Sequence, residues 1–449
     1  MVKVQIGKST IYGKVNDGIE SFKGIPYAYP PIGTRRFKHS QLLNIEDQEI
    51  EASTFKTIPP QPDNKLETFF SSKHSDFTQN EDCLYLNIWR QNHNNNKKPV
   101  IIYFYGGGFV NGHGSAELYT PEPIVQEHDV IVITFNYRLG ALGFLDWSAF
   151  NAQFDYNNGL SDQINVLKWV HYYIEYFGGD PTNITLMGQS AGSMSIQALM
   201  QQPNLDAYYH KVVLLSGMLN LDTPHASHLK AHHFAALMNH HYPHTTLKDL
   251  SSKDMLKLMA LDEQSRGPSK GLELIYSPVK DEVMNRPLSH FGKPLVIGYT
   301  KDEGDCYIRN EARKLNAKRF VEVMKLNHID VVEADVQTGR QQADIVTDYY
   351  FIAPMMSFFN RLEHNSNQWL LRFDWSLPGH PHFASAYHIL DLIFWFGKMK
   401  ILNAHDVEDV ISEMRLSKQM ISDLVYFAKT SSMPWSPYST INKHPHIYK

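Results

Sequence analysis

The chain has 449 residues, is 43% hydrophobic and 20% charged, and carries a net charge of −5 at neutral pH. That balance is ordinary for a globular protein with a large core, and the small acidic excess excludes a long-range field that would draw in nucleic acid or an anionic membrane. At ~150 residues per domain the length suggests roughly three domains, yet large α/β enzymes run as one with insertions; with no internal repeat, low-complexity tract or linker, a single domain over 1–449 is expected.

Residues 2–22 alternate apolar and polar, with Gly13 and Asp17-Gly18 as turn signals, and read as antiparallel hairpin strands. The proline- and glycine-dense stretch 22–37 reads as a loop pinned by aromatics. Residues 81–89 read as a strand of near-continuous apolar character after Cys83; 99–105 is dense in β-branched and aromatic side chains, the mark of a strand buried on both faces; and 129–138 is a third buried strand. The second runs into Gly106, Gly107 and Gly108, whose backbone a ligand can approach closely. Residues 160–177 have Ile164, Leu167, Val170 and Ile174 at helical spacing. Further strands are expected at 211–216, 293–299 and 368–374, the last being the final major strand, followed by a helix over 405–429. This alternation points to an α/β protein with a large, mostly parallel central sheet and helices on both faces. Residues 218–290 and 309–365 are helical in character and are expected to be insertions at the carboxyl edge of the sheet, lining or covering a pocket.

The chemistry concentrates at Gly188-Gln189-Ser190-Ala191-Gly192. An apolar run, 184–187, precedes it and a helix-compatible run, 193–200, follows. Strand, sharp turn and helix in that order make a nucleophile elbow, with Ser190 held above the sheet and glycines on both sides where a Cβ would collide. A serine hydroxyl needs a base within reach, and the base an orienting acid. In hydrolases of this sheet type the carboxylate and then the histidine follow the serine in the chain. Glu303 and His388 meet those conditions, but by spacing alone so does Asp302 beside Glu303, and His380 and His382 also follow the last expected strand. His380 and His382 lack the carboxylate or cysteine spacing that would complete a metal site.

Several motifs together give the chain a resemblance to the type B carboxylesterase family, which includes para-nitrobenzyl esterases and cholinesterases. They are Phe22-Lys-Gly-Ile-Pro-Tyr-Ala28 with Pro30-Pro31 and Arg36-Phe37, Glu81-Asp-Cys-Leu-Tyr-Leu-Asn-Ile-Trp89, Asn136-Tyr-Arg138, Gly159-Leu-Ser-Asp162 and Phe177-Gly-Gly-Asp-Pro181 leading into the serine. The resemblance covers essentially the whole chain and implies an α/β-hydrolase fold. It also implies that Ser190 is the nucleophile, Glu303 the acid and His388 the base, with the N–H groups of Gly107, Gly108 and Ala191 as the oxyanion hole. It implies a carboxylesterase acting on small to medium esters through an acyl-enzyme, with no cofactor and no metal. Scaffold and triad alone leave an amidase, thioesterase or carbamate hydrolase open; a non-catalytic cholinesterase-like binding protein would lack triad members and carry an anchor.

The chain departs from the family pattern in places. Gln189 stands where glutamate is usual, which removes a negative charge and weakens any preference for cationic substrates. Ile389 and Ile393 replace a glycine and a proline after the histidine. The cysteine that usually pairs with Cys83 is missing, Pro59 or Pro60 standing in that region. The chain is also shorter than typical members, mainly in its insertions. With two cysteines, Cys83 and Cys306, and no signal-like or spanning apolar run, a cytoplasmic location is expected. The expected partner is a small-molecule ester, with no nucleic acid or membrane anchor, in a monomer or small homo-oligomer.

Overall fold

A computed structural model of the chain describes residues 1–63, 65–72, 77–91, 97–266, 274–308, 313–362, 367–439 and 443–449. Parts of the two expected insertions, 267–273, 309–312 and 363–365, lie outside the described residues. Among the described residues twelve strands form one sheet: β1 (Val2–Ile6), β2 (Ser9–Asn16), β3 (Ile19–Pro26), β4 (Glu49–Glu51), β5 (Tyr85–Gln91), β6 (Lys98–Phe104), β7 (Ile131–Phe135), β8 (Gly179–Gln189), β9 (Lys211–Leu215), β10 (Leu295–Thr300), β11 (Gln368–Phe373) and β12 (His446–Tyr448). Their order is β1-β2-β3-β5-β7-β6-β8-β9-β10-β11-β12, with β4 beside β2. From β1 to β7 along this path the neighbours are antiparallel, and from β7 to β12 every pair is parallel.

Burial follows that division. Every residue of β6, β7, β9 and β10 is buried, as parallel strands covered on both faces must be, whereas β2 alternates buried and part-exposed positions before its end becomes exposed. The chain leaves β6 in one direction to form β7 and returns to its other side to form β8. Order therefore reverses around β6, and the crevice at the carboxyl ends of β6 and β8 is the switch point where open α/β sheets bind ligands.

The structure adjusts several expected boundaries. β3 continues through Pro26 with an irregularity between Lys23 and Ile25, so the irregular loop begins later than residue 22. The helix expected over 160–177 is α1 (Asn158–Tyr173), tightening into a 3₁₀ turn over Ile174–Phe177 and closed by Gly178 at φ 77°. The final long helix is α8 (Ile411–Thr430). β11 is followed by β12, whose three residues carry too little pattern to be read from sequence. Between α1 and α8 lie α2 (Ala191–Met200), α3 (Pro224–His241), α4 (Ser252–Arg266), α5 (Ala317–Leu326), α6 (Gly339–Val346) and α7 (Ala353–Arg361). A π-helical turn over Thr347–Ile352 joins α6 to α7.

The motif residues that are not chemical have structural work. Arg138, just past β7, donates to Asp162 of α1 through its backbone N–H and through Nε and Nη2, at 2.8 to 2.9 Å, and also donates to the carbonyls of Arg36, Lys38 and Asn158. Both partners are buried, Asp162 at 0% exposure. Asn87 Oδ1 accepts the Gly24 N–H and Asn136 Oδ1 that of Gly114, so buried backbone donors that the sheet leaves over are satisfied by side chains.

Candidate active site

β8 ends at Gln189 and α2 begins at Ala191, so Ser190 makes the whole turn between them. Its φ of 54° and ψ of −123° are a conformation that a non-glycine residue holds only under constraint. The constraint is steric. A Cβ on Gly188 would stand 2.6 Å from the carbonyl carbon of Gly192, one on Gly192 2.0 Å from the Phe104 carbonyl oxygen, and one on Gly217 2.3 Å from the Ser190 carbonyl oxygen. The turn is thus wedged between the ends of β6 and β9, and Ser190 N–H donates to the Leu215 carbonyl at 2.8 Å.

Beyond β6 the backbone coils tightly. Gly107, Gly108 and Phe109 all have positive φ, and the N–H groups of Val110 and Asn111 both donate to the Gly107 carbonyl. Among the described residues the N–H groups of Gly107 and Gly108 donate to no protein acceptor, and that of Ala191 belongs to the first turn of a helix, where amides lack intrahelical partners. These three amides, Ser190, Gln189 and His388 line one cavity of about 320 Å³. Its other walls include Phe70, Leu118, Met194, Leu274, Phe351 and Ile389.

Glu303 and His388 come from the loops after β10 and β11. His388 Nδ1 lies 2.6 Å from Glu303 Oε2, and Glu303 Oε1 accepts the Thr300 N–H at 2.8 Å. Both are buried, Glu303 completely. The neighbouring Asp302 does something else: its Oδ2 accepts the Ala386 N–H, its own N–H donates to the Ala386 carbonyl, and Arg340 pairs with Oδ1 at 2.6 Å. It therefore pins the loop that carries His388, while Glu303 faces the ring. His380 is turned away, its Nε2 3.0 Å from the His405 carbonyl and its Nδ1 accepting the N–H groups of His382 and Phe383. Among the described residues no group of three or more His, Cys, Asp or Glu is placed to hold a metal ion.

Three features escaped the sequence reading. First, His388 Nε2 meets the side-chain amide of Gln189 at 3.1 Å, and among the described residues Ser190 Oγ makes no hydrogen bond to it. Second, the rings of Phe351 and Tyr307 lie 5.0 and 5.8 Å from the imidazole. Third, Asp391 is buried, with Oδ2 accepting from Trp395 Nε1 at 3.2 Å and Oδ1 without a partner among the described residues. Burial, and after it the charge of Glu303, pushes its carboxyl up to about 7, against the opposing pull of His388. The available signal was an aspartate three residues beyond the histidine, inside an otherwise apolar run. Ile389 sits at φ 78°, where the resemblance places a glycine.

A sequence profile described as the carboxylesterase family matches residues 1–447. The chain belongs to the carboxylesterase family. It is 32% identical to the para-nitrobenzyl esterase of Bacillus subtilis over 448 residues, covering 96% of this chain and 90% of that protein. Among solved structures, a thermophilic PNB esterase superposes with a TM-score of 0.85 at 28% identity, covering 98% of this chain and 92% of the other. A Geobacillus stearothermophilus carboxylesterase gives 0.83 at 27% identity, with 99% and 96% covered. The fold is the α/β-hydrolase fold, and the reaction class is serine-dependent hydrolysis of carboxylic esters.

Proposed function

We propose that this carboxylesterase acts on small to medium, uncharged esters through an acyl-enzyme on Ser190, with His388 as base and acid and Glu303 as the group that orients it. The observation that carries the reading is the 2.6 Å pair between His388 and Glu303, the ring opening onto the cavity that also holds the constrained Ser190. Ser190 Oγ attacks the ester carbonyl as His388 Nε2 takes its proton. The tetrahedral oxyanion is received by the N–H groups of Gly107, Gly108 and Ala191, residues that line the same cavity as Ser190 and whose backbone donors need little reorganisation. The alcohol leaves with the proton from His388, and water repeats the sequence on the acyl-enzyme. Glu303, anchored to the Thr300 N–H, fixes the Nδ1–H tautomer and stabilises the imidazolium.

The mostly apolar walls and the neutral Gln189 support uncharged acyl and alcohol groups, since the two carboxylates that also line the cavity, Glu67 and Glu117, are engaged by His113 and by Ser72. The segments 218–290 and 309–365 act as pocket walls in this reading, supported by Leu274 from the first and Tyr350 and Phe351 from the second. Cys83 and Cys306 are thiols rather than halves of a disulfide, which supports a reducing, cytoplasmic setting. No helix among the described residues is long and apolar enough to cross a membrane. The test is labelling by a fluorophosphonate probe together with hydrolysis of a p-nitrophenyl ester series. Wild-type protein takes the label and Ser190→Ala does not; equal behaviour of the two would overturn the reading.

A further inference from the structure

His388 has one lone pair to offer. With Nδ1 paired to Glu303, the ring carries its proton there and Nε2 is the acceptor. The donor that meets Nε2 is the amide of Gln189, at 3.1 Å. Gln189 is 1% exposed, so bulk water does not compete for that contact. Room for it comes from Gly106: a Cβ there would lie 2.5 Å from Gln189 Oε1 and 2.9 Å from Ser190 Cβ. The two side chains thus crowd the same end of β6, next to the same imidazole.

We infer that the amide of Gln189 occupies the lone pair of His388 before substrate binds and competes with the nucleophile for it, and that acyl transfer begins when the Ser190 hydroxyl takes its place. The inference rests on the roles proposed for Ser190, His388 and Glu303. The exchange moves no proton: one N–H···N hydrogen bond breaks and one O–H···N hydrogen bond forms. In the resting state the amide therefore competes with the Ser190 hydroxyl for Nε2.

An amide has a further property that suits this position. Turned over, it presents Oε1 and accepts from Nε2–H once the ring has taken the serine proton. It can therefore serve the neutral and the cationic ring alike with no charge of its own. A carboxylate in its place can only accept, and so favours the cationic ring and holds back the base. The other groups facing the imidazole are Glu303 at Nδ1, Asp391 from the turn that follows, and the rings of Tyr307 and Phe351.

The test compares Gln189→Met, which keeps the side-chain length and removes the donor, with Gln189→Glu, which keeps the shape and adds a charge. The readouts are the second-order rate constant for fluorophosphonate labelling and kcat/KM for p-nitrophenyl acetate as a function of pH. Asp391→Asn is run in parallel so that a limb belonging to that carboxyl is recognised. Removing the competing donor is expected to raise the labelling constant of Gln189→Met roughly two- to tenfold, the worth of one ordinary hydrogen bond. The acid limb of Gln189→Glu is expected to move up by about one pH unit. A labelling constant in Gln189→Met at or below wild type, in protein that keeps its unfolding midpoint, overturns the inference. Should Gln189→Met not fold, the acid limb of Gln189→Glu decides, and an unmoved limb overturns it. Wild-type protein that takes no label sinks the proposed function and this inference with it. Label lost only in Ser190→Ala, with Gln189→Met no faster than wild type, sinks this inference alone.

Discussion

At the scale of single residues, the carboxylates around His388 are told apart by what holds them. Glu303 shows this best, with one carboxylate oxygen on the Thr300 N–H and the other on His388. Glu303→Gln must keep an oxygen on the Thr300 N–H, so its amide nitrogen faces Nδ1 and selects the tautomer whose proton sits on Nε2. The lone pair then points at Glu303's position instead of the cavity, and kcat should fall roughly 10⁴-fold with little change in fold; steady-state rates beside a circular dichroism spectrum check both halves. Asp391 makes a second, separate prediction. Its carboxyl is raised to about 7 in the folded chain from about 3.9 when unfolded, so folding takes up a proton. The stability this contributes is full below about 4, declines as pH rises toward 7 and is gone above it. Asp391→Asn should flatten that slope, which urea midpoints at pH 5 and pH 8 will show; equal pH dependence in the two proteins would contradict it.

At the scale of elements, the turn between β8 and α2 leaves no room for a side chain at either of its glycines. Gly192→Ala sets a methyl group 2.0 Å from the Phe104 carbonyl oxygen, which backbone must move to accept. A loss of about 1–3 kcal/mol, the range for overpacking a close-packed site, is expected together with a collapse of activity, since any shift carries Ser190 with it. Much of this junction was legible in sequence, because a strand, two glycines and a helix in that order have one comfortable geometry. The inner strands were legible for a related reason: burial on both faces forces an unbroken apolar run, as in β6 and β7. Elements set by neighbours rather than by pattern were not. β12 is defined by the edge of β11 it joins, and the π-helical turn over Thr347–Ile352 leaves no trace in periodicity although it brings Phe351 to His388. The choice between Asp302 and Glu303 is of the same kind, since adjacent carboxylates are told apart only by where the turn points them. The contact between Gln189 and His388 spans 199 positions, a distance over which no local rule reaches.

At the scale of the whole molecule, the segment past β7, helix α1 and the loop at Arg36 and Lys38 that follows β3 are tied together through the Arg138 guanidinium and Asp162. Arg138→Met leaves Asp162 buried and uncompensated, at a cost of about 3–5 kcal/mol, while replacing both partners by apolar residues should recover much of that loss; guanidinium unfolding of the single and double variants measures the difference. The His388 loop is pinned through Ala386, bonded both ways to Asp302, and in it Ile389 stands at φ 78°, a backbone state worth about 1–3 kcal/mol of strain for a side chain of its kind. A signature that insists on glycine at that point would pass this chain over, while one built on shape would keep it. Ancestry in this fold is better tracked by the surroundings that hold a conformation than by the amino acid that finds it easiest.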